Sequence, residues 1–247
     1  MEARVFDKKK LPSRHVTEGP EHAPHRSYYY AMGLSGEQIH QPFVGVATCW
    51  NEAAPCNISL MRQAQAVKRG VAAASGTPRE FCTITVTDGI AMGHQGMKSS
   101  LPSREVIADS VELTIRGHAY DALVGLAGCD KSLPGMMMAM CRLNVPSIFI
   151  YGGSILPGNF RGQIVTVQDM FEAVGRHSVG ALSSEDLDEM EQVACPRPAL
   201  AAPSSPPTPW RRCPRRSALR CPIRRAHPRL MKSATSSAWR RASRSWT

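Results

Sequence analysis

The sequence predicts an α/β protein, a parallel sheet flanked by helices. Three observations carry that prediction. Continuous apolar runs at 43–48, 122–127 and 147–151 have the length of strands and no polar alternation, the pattern of strands buried on both faces. The longer segments between them place apolar residues at helical spacing. Strand alternates with helix throughout 41–196, the order that βαβ units impose.

Residues 1–40 are polar and rich in His, Pro and Tyr, and are expected to wrap irregularly over a surface. Residues 43–48 (FVGVAT) form the first strand and run into Cys49-Trp50-Asn51-Glu52. Asn57 is of the type that caps a helix, here one with Leu60, Met61, Ala64, Val67 and Val71 on its apolar face. Gly76-Thr77-Pro78 stops that helix. Residues 81–86 are β-rich and predict a second strand ending at Thr87-Asp88-Gly89. A helix over 103–117 leads to a third strand at 122–127, which ends at Gly128-Cys129-Asp130-Lys131. A Met-rich helix over 134–143 then leads to a strand at 147–151, ending at Gly152-Gly153. Helices at about 167–177 and 184–193 follow, the second capped by Ser183 with Asp186 three residues on. No internal repeat is visible.

Composition changes abruptly at Pro196. The formal charge of +10 belongs to the tail: residues 197–247 hold 13 of the 30 Lys+Arg and none of the 20 Asp+Glu. Residues 1–196 therefore carry 17 basic and 20 acidic groups, a net of −3. The body lacks the basic face that a nucleic-acid partner would need. The tail, with 12 Arg, many Pro and Ser and no period, is not expected to pack a core. No apolar stretch is long enough to span a bilayer. Lys8-Lys9-Lys10 has no apolar segment after it, so no secretory signal is expected, and the cytoplasm is the expected compartment. Eight cysteines in that setting point to thiols or metal ligands rather than disulfides.

In an open parallel sheet, ligands bind beyond the carboxyl ends of the strands. Three predicted strands end in reactive residues, so the loops holding Cys56, Asp88 and Cys129-Asp130-Lys131 should open on one side. Asp88 and Asp130 offer the hard oxygen donors Mg²⁺ prefers. Cys56 and Cys129 offer soft thiolates for iron. Adjacent side chains in extended backbone point opposite ways, so Cys129 and Asp130 could serve two metals. On spacing alone, a Cys beside an Asp after a strand is more often a packed thiol and a helix cap. Cys49, Cys82 and Cys141 adjoin apolar runs and read as core thiols, and Met136, Met137, Met138 and Met140 as helix core. His94, ahead of His118, is a candidate neighbour of the site.

The stretches ATCWNEAAPCNISLMRQA (47–64), TVTDGIAMGHQGMKSSLPSREVIADSVE (85–112) and AGCDKSLPGMMMAMCRLNVPSIFIYGG (127–153) resemble the dihydroxy-acid dehydratase family. The similarity runs from about residue 26 to 196. The wider family includes sugar-acid dehydratases, and CWNEAAPCN, TVTDGIAMGHQGM and GCDKSLPGM look most like its branched-chain biosynthetic members. Carried over by residue, the resemblance implies that Cys56 and Cys129 ligate a [2Fe–2S] cluster. It implies Asp88 and Asp130 as Mg²⁺ ligands, with Lys131 joining them after carbamylation of its amine. The implied reaction removes water from a small dihydroxy acid to give a 2-oxo acid. A homodimer is implied for the intact enzyme, and neither nucleic acid nor membrane as a partner.

Past Ala194-Cys195-Pro196 the resemblance stops. The family continues with a glycine-rich stretch holding another cysteine, then Q-F-T-A-N-T-M-A. Residues 203–215 (PSSPPTPWRRCPR), back-translated with GC-rich codons and read one nucleotide earlier, can give that same pattern. The single codon of Trp210 supplies the Met-Ala junction. Residues 197–247 therefore read as a frameshifted translation, leaving the third cluster cysteine and the general base without counterparts, and the chain as written is expected to be inactive and poorly folded. Sequencing the gene across codon 196 tests this. An intact frame through the tail would contradict it; a one-nucleotide discrepancy is the expected result.

Overall fold

A computed structural model describes residues 6–196. The frameshift reading of 197–247 lies outside the described residues. In chain order the helices and strands are α1 (Arg14–Thr17), α2 (Ala23–Ala31), α3 (Gly36–His40), β1 (Phe43–Thr48), α4 (Leu60–Ala73), β2 (Thr77–Cys82) and α5 (Asp88–Ala91). They continue with α6 (Ser100–Gly117), β3 (Ala122–Ala127), α7 (Ser132–Leu143), β4 (Ser147–Tyr151), β5 (Gly158–Phe160), β6 (Gln163–Val165), α8 (Val167–Ser178) and α9 (Ser184–Ala194).

β1 to β4 form one parallel sheet in the order β2-β1-β3-β4. The chain first steps from β1 to β2, then crosses back over β1 to β3 and on to β4. Right-handed crossovers put connections that step in opposite directions on opposite faces, so α4 covers one face while α6 and α7 cover the other. Side-chain positions agree. A Cβ on Gly45 of β1 would strike Ile115 of α6, and one on Gly125 of β3 would strike Met136 and Met140 of α7. On the opposite face, a Cβ on Gly152, just past β4, would strike Leu60 of α4. β1 and β3 are the central strands and are almost wholly buried, with Phe43, Val46, Leu123 and Leu126 in the core.

The strands at 43–48, 122–127 and 147–151 stand where the sequence places them. The second strand does not. It covers Thr77–Cys82 rather than 81–86, because as an edge strand it tolerates Pro78, which has no N–H to give a ladder. Its pairing with β1 ends at Thr48, whose carbonyl accepts a last bond from the Thr83 N–H at 2.9 Å, and residues 84–87 run on without ladder partners. The 1–40 segment, expected to be irregular, is largely helical over its described part, with Ser35 and Gln38 forming a reciprocal capping box. Asn57 caps nothing, since Ser59 is the N-cap position of α4 and makes no side-chain cap bond.

A β-hairpin absent from the sequence reading joins β5 to β6 through Arg161-Gly162, both at positive φ (49° and 86°). Two central residues at positive φ are the requirement of a type I′ turn. This hairpin packs with α8 and α9 around Val165, Ala173, Met190 and Ala194. Ser183 caps α9 as expected, accepting from the Asp186 N–H at 3.0 Å.

At the amino edge of the sheet, a buried carboxylate holds the N-terminal segment in place. Asp121 Oδ1 accepts from the Ser13 N–H (2.8 Å), and Oδ2 accepts from Ser13 Oγ (2.6 Å) and the Phe43 N–H (2.7 Å). Lys8 faces this group, donating to the Gln41 carbonyl at 2.6 Å while its ammonium stands 4.4 Å from the centre of the Phe43 ring. Burial lowers the Lys8 pKa from 10.5 to about 8, the attraction of Asp121 offsetting only part of that cost. Between those values the unfolded chain binds more protons than the folded one, so Lys8 adds stability as pH rises through about 8 to 10.5. In urea unfolding of the wild type and Lys8→Met across that window, the difference in stability should move in the wild type's favour as pH rises. A difference that stays constant would contradict the buried placement of Lys8.

Candidate functional site

The strand order reverses between β1 and β3. Such a switch point leaves a crevice at the carboxyl ends of the strands, because neighbouring loops depart to opposite faces. The loop after β1 brings Cys56 to this crevice, and the loop after β3 brings Cys129. The two buried thiols pack on one another with Ala54. The extended run after β2 passes alongside: the Val86 carbonyl lies 3.8 Å and the Thr87 hydroxyl 3.9 Å from Cys129 Sγ. Cys129 is also fixed at its backbone, where its N–H donates to Ser132 Oγ at 3.0 Å and Ser132 Oγ donates to its carbonyl at 2.8 Å.

The sulfurs share a proton unequally. Hydrogen bonding with Cys56, and less strongly with Thr87, favours the Cys129 thiolate against the cost of burial, and its pKa falls to about 7. The same hydrogen bond, reinforced by burial, pushes Cys56 well above the ordinary thiol value. Of the two sulfurs, Cys129 is thus the one that gives up its proton more readily, with Cys56 placed to donate to it.

The second group lies next to the first. Lys131 Nζ donates to Asp88 Oδ2 at 2.5 Å and to Asp130 Oδ2. Ser100, opening α6, donates to Asp88 Oδ1 at 2.6 Å. Burial works against the Asp88 carboxylate, but the Lys131 and Ser100 hydrogen bonds outweigh it and hold its pKa below the usual range. Lys131 is raised by its hydrogen bonds to Asp130 and then Asp88. Two carboxylates and one amine therefore converge where the loops from β2 and β3 meet. All five residues singled out in the sequence, Cys56, Asp88, Cys129, Asp130 and Lys131, stand at the carboxyl edge of the sheet.

Among the described residues no three His, Cys, Asp or Glu side chains gather closely enough to hold a metal ion by themselves. The donors come as two thiols and two carboxylates, each set short of a full coordination shell. The loop and helix start that carry Cys56 also contain four buried oxygens without a hydrogen-bond partner: Asn51 Oδ1, Asn57 Oδ1, Ser59 Oγ and Gln63 Oε1. Buried acceptors are rarely left unpaired in a finished structure. Paired soft donors beside paired hard donors fit a site that takes up an inorganic group.

Other expectations fare differently. Cys49 is buried as a core thiol, whereas Cys82 and Cys141 are exposed, at the end of an edge strand and on the outer side of α7. Met136 and Met140 are core; Met137 and Met138 are only partly covered. His94 lies on the loop after Asp88 but spends both ring nitrogens on its own turn, facing the Ile90 carbonyl and the Gly96 N–H. His118 follows the end of α6, at the opposite edge of the sheet, and stacks on Tyr120. The sequence reading missed Thr87, Ser100 and Ser132, and misread Asn57. Their only sequence signal is nearness to the cysteines and Asp88.

Residues 41–200 match the sequence model of the dihydroxy-acid/6-phosphogluconate dehydratase N-terminal region. The chain is 86% identical over 196 residues to "Dihydroxy-acid dehydratase 2" of Bradyrhizobium diazoefficiens, covering 79% of this chain and 34% of that protein. It is 80% identical over 196 residues to "Dihydroxy-acid dehydratase" of Parvibaculum lavamentivorans, with the same coverage of each. Identity is still 55% over 192 residues to "Dihydroxy-acid dehydratase" of Sulfurisphaera tokodaii, covering 78% of this chain and 34% of that protein. The chain spans about a third of the length of the curated relatives it matches. With the family's sequence model matched over most of its length, the chain belongs to the dihydroxy-acid/6-phosphogluconate dehydratase family, of which it carries the N-terminal region.

Proposed function

We propose that residues 41–196 form the cofactor-holding domain of a dihydroxy-acid dehydratase, a hydro-lyase that converts 2,3-dihydroxy-3-methyl carboxylic acids to 2-oxo acids in branched-chain amino-acid synthesis. The observation that carries this reading is the Cys56–Cys129 pair beside Asp88, Asp130 and Lys131 at the β1/β3 crevice. The names of the relatives support the dihydroxy-acid substrate over the sugar acids of the wider family.

On this reading Cys56 and Cys129 hold a [2Fe–2S] cluster, and Asp88 and Asp130 hold Mg²⁺. When bound, these groups supply Lewis acidity, toward the departing 3-hydroxyl and toward the substrate carboxylate and 2-hydroxyl respectively. The protein's part is to prepare the donors. Thr87 and the shared proton keep Cys129 near its anionic form. Ser100 orients Asp88 through Oδ1, which leaves Oδ2 directed at the neighbouring amine. As an ammonium, Lys131 offsets one of the two carboxylate charges; carbamylated, it would present oxygens in the same place. The reading also makes the intact enzyme a homodimer and its compartment the cytoplasm, supported by the family resemblance. No helix among the described residues is long and apolar enough to cross a membrane.

The test joins residues 1–196 of this chain to the remaining length of the Bradyrhizobium relative. Reconstituted with iron, sulfide and Mg²⁺, the chimera should turn over 2,3-dihydroxyisovalerate in preference to an aldonic acid. Cys129→Ser should lose the visible absorption of the cluster, and Asp88→Asn should keep that absorption while activity falls by roughly a hundredfold or more. Preference for the aldonic acid would overturn the substrate. Full activity in Cys129→Ser would overturn the site.

A further inference from the structure

Asn57 is wholly buried and adjoins Cys56, yet it neither caps α4 nor belongs to the donor sets above. Its carboxamide touches all three loops that build the crevice. Nδ2 donates to the Cys49 carbonyl at 2.6 Å, where the chain leaves β1, and to Thr85 Oγ1 at 2.8 Å, on the run after β2. The Cys49 carbonyl can only accept, so the orientation of the amide is determined. Oδ1 then faces Gly128, the residue before Cys129. A Cβ on Gly128 would lie 2.7 Å from Asn57 Oδ1 and 2.2 Å from the Cys56 carbonyl. The third loop therefore seats directly on the backbone of Cys56 and the side chain of Asn57.

The connections from Asn57 end at both sulfurs. On one side it is bonded in sequence to Cys56. On the other, Thr85 lies two residues before Thr87, whose hydroxyl is 3.9 Å from Cys129 Sγ, and Gly128 is the direct neighbour of Cys129. Burying a carboxamide with one oxygen unpaired costs stability. An apolar residue of similar volume would pack there without that cost, but it could not tie the three loops.

We propose that Asn57 is a positioning residue, which sets the separation of the Cys56 and Cys129 sulfurs and so the bite of the thiol pair for a soft inorganic group. The role rests on the proposed use of that pair, but the geometry of the pair can be tested without the cluster. Phenylarsine oxide bridges two adjacent thiols, forming two As–S bonds and releasing its oxygen as water with the two thiol protons. The 247-residue chain is titrated with the arsenical, and the bridged peptides are mapped by mass spectrometry after digestion.

Wild type should give one arsenic bridging Cys56 and Cys129. Asn57→Asp places a carboxylate against the Cys49 carbonyl, and Asn57→Leu removes both polar ends; each should weaken this bridging by roughly 10- to 100-fold, the usual cost of losing a supporting hydrogen bond around metal ligands. Thr85→Val should weaken it and Thr85→Ser restore it, with the thermal midpoints of these two variants alike. That pair decides the matter if the Asn57 variants fail to fold, because a merely structural role would follow the melting temperature and not the hydroxyl. Undiminished bridging in folded Asn57→Leu, or in Thr85→Val, overturns the proposal. If the wild type bridges arsenic while the chimera takes up no cluster, the cofactor reading fails and the positioning role stands.

Discussion

The site depends on one topological constraint, the reversal of strand order between β1 and β3. Parallel neighbours whose connections leave to opposite faces cannot cover their own carboxyl ends, and the loops there must close the opening with their side chains. In this chain that duty falls to short loops carrying cysteine, aspartate and lysine. Cys56 arrives from α4's side of the sheet and Cys129 from α7's, and they meet because β1 and β3 are hydrogen-bonded neighbours. The chemistry is thus a consequence of register. Shifting either strand by one residue would turn the following loop over and separate the sulfurs.

The two edges of the sheet divide the work. At the amino edge, Asp121 is satisfied by three donors and faced by Lys8, a closed arrangement that binds the N-terminal segment to β1 and β3. At the carboxyl edge the polar groups are left incomplete: a pair of buried cysteines, two carboxylates around one amine, and four unpaired oxygens between residues 51 and 63. Closed polar clusters hold a fold together, whereas open ones are costly unless something else completes them. That contrast supports the proposed placement of the site at the carboxyl edge.

Much of this was legible in the residues. The central strands could be read because FVGVAT and ALVGLA are apolar throughout, as only doubly covered strands are. Cys56, Asp88, Cys129, Asp130 and Lys131 could be read because each follows a strand. β2 was displaced because Pro78 looks like a terminator, and only pairing shows that it sits on an edge. The β5–β6 hairpin escaped notice because Arg161 takes a positive φ that its side chain does not advertise. Asn57 was misread for a deeper reason. Asparagine before a helix serves equally as a cap or as a tie between loops, and the choice is made by Thr85, distant in sequence. Cys82 and Cys141 lie beside apolar runs but on their outer sides, a distinction of facing that a run alone does not encode.

The central claim is that the loops after β1 and β3 bring Cys56 and Cys129 into contact. Mild oxidation of the 247-residue chain with diamide, followed by alkylation, digestion and mass spectrometry, tests it most directly. The account predicts a Cys56–Cys129 disulfide as the dominant intrachain product. Separate alkylation of both cysteines, with the exposed Cys82 or Cys141 taking the oxidant instead, would contradict it.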